Sequence, residues 1–131
     1  MSPHSLTTPL KLLACLHLLV VACQPILAGQ YLIGHELGVQ FHGQFGELAA
    51  WLALAQVAFA VACWWTGRLF IGPTLGFVSL FALVGLQVHA GHNGYLALHV
   101  PLGSFLLVAS TLMTIWIVRI KEDGVVSQGQ A

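Results

Sequence analysis

The chain has 131 residues, of which 58% are hydrophobic and 6% charged, with a formal net charge of zero and a mean hydropathy of +0.89. A soluble domain carries about a quarter charged residues, so the composition excludes that class and points to a polytopic protein held in a lipid bilayer. Four Lys and Arg residues are too few for a nucleic-acid footprint.

The first span is expected over residues 10–29, after a polar tail that includes His4. Lys11 precedes an apolar run, as in a signal peptide, but Pro25 or Ile26 stands where cleavage after Ala28 would need a small residue, so a retained helix is expected. His17 lies in this run without a counterpart elsewhere and reads as a hydrogen-bonded core residue. Cys15, Cys23 and, later, Cys63 lie inside apolar runs with no CxxC spacing, which favours small buried residues over disulfides or zinc ligands. Gln24 and an Ala28-Gly29 step close the span. A polar loop with His35 and Glu36 follows, and Glu36 is the candidate acid at this end of the chain.

A second span is expected over 43–66. His42 stands at its head, Gly46 follows four residues on, and Glu47 points about 140° away from the His42 face, as a residue reaching for the interface would. After Arg68 comes a third span, 69–90, with Pro73 in its first turn, where a missing N–H costs nothing. Gln87, His89 and an Ala90-Gly91 step close it. His92 and Asn93 lie in the next loop. The fourth span, 95–118, opens with His99, Pro101 in the first turn, and Gly103 four residues after the histidine. Arg119 begins a polar tail.

Lys11, Arg68, Arg119 and Lys121 all fall at one side of this arrangement, and the other two loops contain no Lys or Arg. Both termini are therefore expected in the cytoplasm of a bacterial cell, with the chain in the plasma membrane and the histidine-rich loops outside. Tyr31 and Tyr95 fall at the outer level; Trp64, Trp65 and Trp116 fall at the inner one. Helices in lipid associate through small residues. Gly46, Ala49, Ala53 and Ala60 lie within about 40° of His42, Gly103, Leu106 and Ser110 lie under His99, and Gly72 and Gly76 offer a close approach near the inner end of span three.

Glutamine, Ala-Gly, then histidine with glycine four residues on thus occurs twice. The chain reads as an all-α, single-domain membrane protein, a four-helix bundle built from two repeated helical hairpins related by an axis along the membrane normal. Such an axis sets His42 and His99 at one depth on opposite walls, and four residues is about one helical turn, so each glycine leaves a flat slot beneath an imidazole. Two axial imidazoles with space for a flat macrocycle suit a haem, of the b type, held in a bundle core. His89 and His92 are candidates for contacts to its edge, together with Gln30, Gln40, Gln44 and Asn93.

The residues just described resemble one four-helix half of haem A synthase, a membrane enzyme that oxidises a methyl group of haem O, and equally its half-sized four-helix relatives. The resemblance covers nearly all four spans and implies haem ligation at His42 and His99 on the outer side. Where the synthase carries a glutamate three residues before the first histidine this chain has Val39, with Glu36 six residues before it, and the paired outer-loop cysteines have no counterpart. Three roles follow as expectations: a b-type protein for electron transfer or haem handling, alone, as a homodimer or with a respiratory-chain partner; an oxidoreductase related to the synthase; or a helical partner subunit without cofactor.

Overall fold

The computed structural model describes residues 7–120; His4 and Lys121 lie outside that range. The described chain is all-helical: α1 (Thr7–Leu32), α2 (Glu36–Trp65), α3 (Ile71–His92) and α4 (Leu96–Arg119). Each helix is long and apolar enough to cross a membrane. Neighbours in sequence pack against one another and α4 closes back on α1, whereas the diagonal pairs α1/α3 and α2/α4 bring no Cα atoms within 8 Å of each other. The result is a four-membered ring of helices with a central seam.

Apolar residues surround every helix, so periodicity cannot tell inside from outside; size and polarity can. Leu12, Leu19, Trp51, Phe105 and Leu112 face outward, while Ala14, Ala49, Ala53, Ala60, Gln56, Thr74, Ser110 and Thr114 are buried. This is the pattern of helices in lipid, where large apolar side chains gain nothing by turning inward and small ones let backbones approach. The expected inward stripes hold for Ala49, Ala53 and Ala60 and for Leu106 and Ser110. Gly72 and Gly76 also serve as foreseen: a Cβ on Gly72 would meet the Phe70 ring at 2.9 Å, and one on Gly76 would meet the Met113 sulfur at 2.7 Å. Of the cysteines, only Cys63 is fully buried; Cys15 faces outward and Cys23 is half-buried.

At the end that carries the histidine-rich turns, α1, α2 and α3 outrun the expected spans, while α4 begins one residue later than expected. Neither Ala-Gly step ends a helix: α1 continues to Leu32 and α3 to His92. The stops are Gly34 and Gly94, at φ +81° and +69°, with Gly67 at +70° doing the same between α2 and α3. At each, the glycine N–H reaches back three residues and the next N–H five: Gly34 to Tyr31 and His35 to Gln30, Gly67 to Trp64 and Arg68 to Cys63, Gly94 to Gly91 and Tyr95 to Ala90. That is the Schellman closure, which needs a left-handed residue and so favours glycine. Two expectations change as a consequence. Glu36 belongs to the first turn of α2, where a carboxylate complements the helix dipole, and Pro101 is the sixth residue of α4, leaving the Ala97 carbonyl without its usual helical partner. Pro73 does lie in the first turn of α3.

At the opposite end, Lys11 Nζ donates to the Ile120 carbonyl at 2.9 Å, capping the last turn of α4 and bringing the two ends of the described chain together.

Candidate functional site

His42 and His99 face each other across the α2/α4 diagonal, with ring centroids 6.0 Å apart and ring planes at 77°. Both are half-buried. They are brought together from different helical positions: His99 is the fourth residue of α4, but His42 is the seventh of α2. The first hairpin therefore stands taller above its histidine, and Tyr31 of α1 lies over the His42 ring at 6.5 Å.

The two rings are held unequally. The Nδ1–H of His99 donates to the Gln87 carbonyl at 3.0 Å, so that in the neutral ring the lone pair is on Nε2. The Gln87 side-chain amide approaches that Nε2 at 3.4 Å. Gly91 lies against the same ring; a Cβ there would come within 2.8 Å of His99 Cε1. For His42 the equivalent glutamine, Gln24, donates to the backbone carbonyl at 3.4 Å instead of to the ring. His42 Nδ1 is buried without a hydrogen-bond partner.

The slot beneath His99 is occupied by the Gln87 amide, and the Gln24 amide borders the one beneath His42. A Cβ on Gly103 would meet Gln87 Nε2 at 2.9 Å, and the nearest atom to one on Gly46 is Gln24 Nε2 at 3.9 Å. Each glycine accepts a glutamine from the neighbouring helix, a relation absent from the sequence reading, although Gln24 and Gln87 stood out there as members of the repeated pattern. Gln24 Oε1 and Gln87 Oε1 are themselves buried and unpartnered. A buried polar atom left without a partner costs about 1–3 kcal/mol, so these oxygens, beside two imidazoles, call for a hydrogen-bond donor.

The remaining candidates lie apart from this pair. His89 and His92 are exposed at the end of α3, and their bonds are local: Asn93 Nδ2 donates to the His89 carbonyl at 2.8 Å and His92 Nδ1 donates to the Val88 carbonyl at 3.1 Å. His35 and Glu36 are exposed at the start of α2, and Glu47 faces outward as expected. His17 is deep in the core, 1% exposed, as expected from the sequence; it lies beside the Gln56 side chain, and its Nε2 has no hydrogen-bond partner. Among the described residues no three His, Cys, Asp or Glu side chains gather into a metal-binding group.

Two opposed imidazoles are a ligand set for a six-coordinate metal whose other four positions are filled by a macrocycle. Metal–imidazole bonds are about 2 Å long, so rings on opposite sides of one ion have centroids roughly 6 Å apart. The observed separation fits. His42 Nδ1 is without a partner, and the groups beside the two glycines are the far ends of flexible glutamine side chains. No protein family, curated protein or solved structure matches this chain.

Proposed function

We propose that this chain is an integral membrane protein that holds one b-type haem between His42 and His99 and serves electron transfer or haem handling. The observation that carries the reading is the pair of opposed imidazoles at 6.0 Å, each with a glycine one turn further along its helix. Within it, the two hairpins are repeats of one unit, both termini are cytoplasmic, and the site lies near the outer surface of a bacterial plasma membrane. A haem bound there supplies a one-electron carrier.

The protein's own part is positioning. The Gln87 carbonyl presents His99 Nε2 as a ligand by holding the other ring nitrogen. Gly46 and Gly103 leave room beside the ligands, and the lipid-facing apolar residues of the four helices keep the surroundings poor in water. With no Lys or Arg in the outer turns, propionates would be met by Gln30, Gln40, Gln44, Asn93, His89 and His92 or by solvent. Electrons would pass to a respiratory-chain partner or across a homodimer.

A reduced-minus-oxidised spectrum of the purified protein tests this. Wild type should show a low-spin bis-histidine spectrum, His42→Ala and His99→Ala should each lose it while remaining inserted, and His17→Ala should keep it. A wild type that takes up no haem when haem is supplied would favour a partner subunit without cofactor, and a low-spin spectrum persisting in His42→Ala would remove that residue as ligand. Topology has its own test: in a variant lacking the native cysteines, Asn93→Cys should react with an impermeant thiol reagent on intact cells. Labelling only after lysis would invert the orientation.

A further inference from the structure

Three polar side chains in the middle of the bundle have no part in the His42–His99 pair. His17, Gln56 and Ser110 are each 1% exposed, and His17 Nε2, Gln56 Oε1 and Ser110 Oγ are buried with no hydrogen-bond partner on the protein. Their positions converge. Gln56 Nε2 donates at 3.0 Å to the Leu13 carbonyl, the same carbonyl that the His17 N–H reaches in the helical ladder of α1, and the Gln56 amide neighbours the His17 imidazole. Helix α4 arrives from the other side in a fixed antiparallel register: Lys11 meets Ile120, and Thr114 Oγ1 donates to the Ala14 carbonyl at 3.2 Å. One turn outward on each helix sets His17 opposite Ser110.

The Ser110 hydroxyl is also turned away from its own helix. Ser104 and Thr111, on the same helix, return their hydroxyls to the carbonyls one turn back, Val100 at 3.3 Å and Leu107 at 2.7 Å. Ser110 makes no such bond, and its oxygen is buried in the core.

We infer that His17, Gln56 and Ser110 form a binding site for internal water at mid-depth in the bundle. The donor and acceptor balance closes: a water donates twice and accepts twice, so one molecule can donate to Gln56 Oε1 and to His17 Nε2 while accepting from Ser110 Oγ, satisfying all three atoms. Burial leaves no path for a larger ligand, and a single imidazole beside an amide and a hydroxyl is a poor metal site. The site lies beneath the outer pair, because His17 is seven residues from Gln24 on α1 and Ser110 seven from Gly103 on α4, two turns and about 10 Å on the same faces. It stands independently of whether haem binds above it.

Water-edited solid-state NMR on the full, isotopically labelled chain in lipid nanodiscs tests the site, with the His17 ring signal identified by its loss in His17→Phe. Polarisation from water should reach the His17 ring as quickly as it reaches the exposed His35 ring. A build-up as slow as that of the Phe77 ring, which is buried among apolar groups, would overturn the proposal. Thermal unfolding of Ser110→Ala gives a second answer. A hydrated site loses a hydrogen bond and the midpoint falls; a rise would mean that an unpaired hydroxyl had been removed from a dry core, and the site would be wrong.

Discussion

Beside the turn of the first hairpin, α1 and α2 touch backbone to backbone: a Cβ on Gly38 would lie 2.5 Å from the Gln30 Cβ and 2.8 Å from the Tyr31 nitrogen. At the corresponding end of the second hairpin the tight spot is between the Gly91 backbone and the His99 ring. At this end, hairpin one thus uses its close approach to join helices, and hairpin two uses its own to seat a side chain. His99 is fixed through the Gln87 carbonyl, the Gln87 amide and Gly91, while His42 has a ring contact with Tyr31 and no hydrogen bond at Nδ1. Two segments with the same glutamine, histidine and glycine therefore hold one imidazole at Nδ1 and leave the other without a hydrogen bond there.

The largest effect should separate these two uses of glycine. Gly38→Ala must push α1 and α2 apart and should cost roughly 1–3 kcal/mol, as overpacking does, read as a lowered thermal midpoint of the purified protein. Gly91→Ala meets a ring that can turn, so its midpoint should fall less while the low-spin fraction after haem addition falls more. Equal midpoint losses in the two variants would erase the distinction.

A control follows from what the hairpins share. Gly34→Ala and Gly94→Ala place a side chain in the left-handed region, at about 1–2 kcal/mol each, and calorimetry should find the two costs alike. If only one is costly, the turns are not equivalent despite their identical hydrogen bonds.

These turns mark where the sequence was readable and where it was not. The histidine pair was legible because an imidazole with a glycine one turn on occurs twice in an apolar background that offers few other polar groups. The helix ends were misplaced because Gly29 and Gly91 resemble terminators, yet a helix in lipid tolerates glycine where the neighbouring helix or side chain needs room. At Gly91 the neighbour is the His99 ring. Gly38 was missed for the opposite reason: it lies in a stretch whose His35, Glu36 and Gln40 read as loop, and only a tight crossing reveals its use. The inner polar layer was scattered over four helices as His17, Gln56, Thr74, Ser110 and Thr114, with no spacing in the sequence to connect them.

The glutamines give a smaller effect. Gln87→Ala removes the amide from His99 Nε2 but keeps the backbone carbonyl on Nδ1, at a stability cost of about 0.5–1.5 kcal/mol. Stopped-flow mixing of apoprotein with haem should then show faster uptake than in wild type, because the ligand nitrogen is already bare, whereas Gln24→Ala should leave the rate unchanged. Equal acceleration in both would mean that the amides act only as bulk.

Smallest of all should be Gly46→Ala, since its nearest new neighbour is 3.9 Å away; a stability change within about 0.5 kcal/mol is expected. Gly103→Ala has to displace an amide at 2.9 Å and should lower haem occupancy further than Gly46→Ala does. Leucine at either position fills the slot, and occupancy measured by absorbance should then fall in both hairpins.

Every helix pairing except one joins neighbours along the chain. Each such pair can form as soon as its second member has entered the bilayer, but the α1–α4 seam joins residues about a hundred apart, as in Thr114 with Ala14 and Lys11 with Ile120. Closing it carries the largest loop-entropy cost and cannot precede the insertion of α4. The α4 helix therefore both brings the second imidazole and closes the ring of helices against α1. The two imidazoles thus come together only through the contact that closes last in chain order.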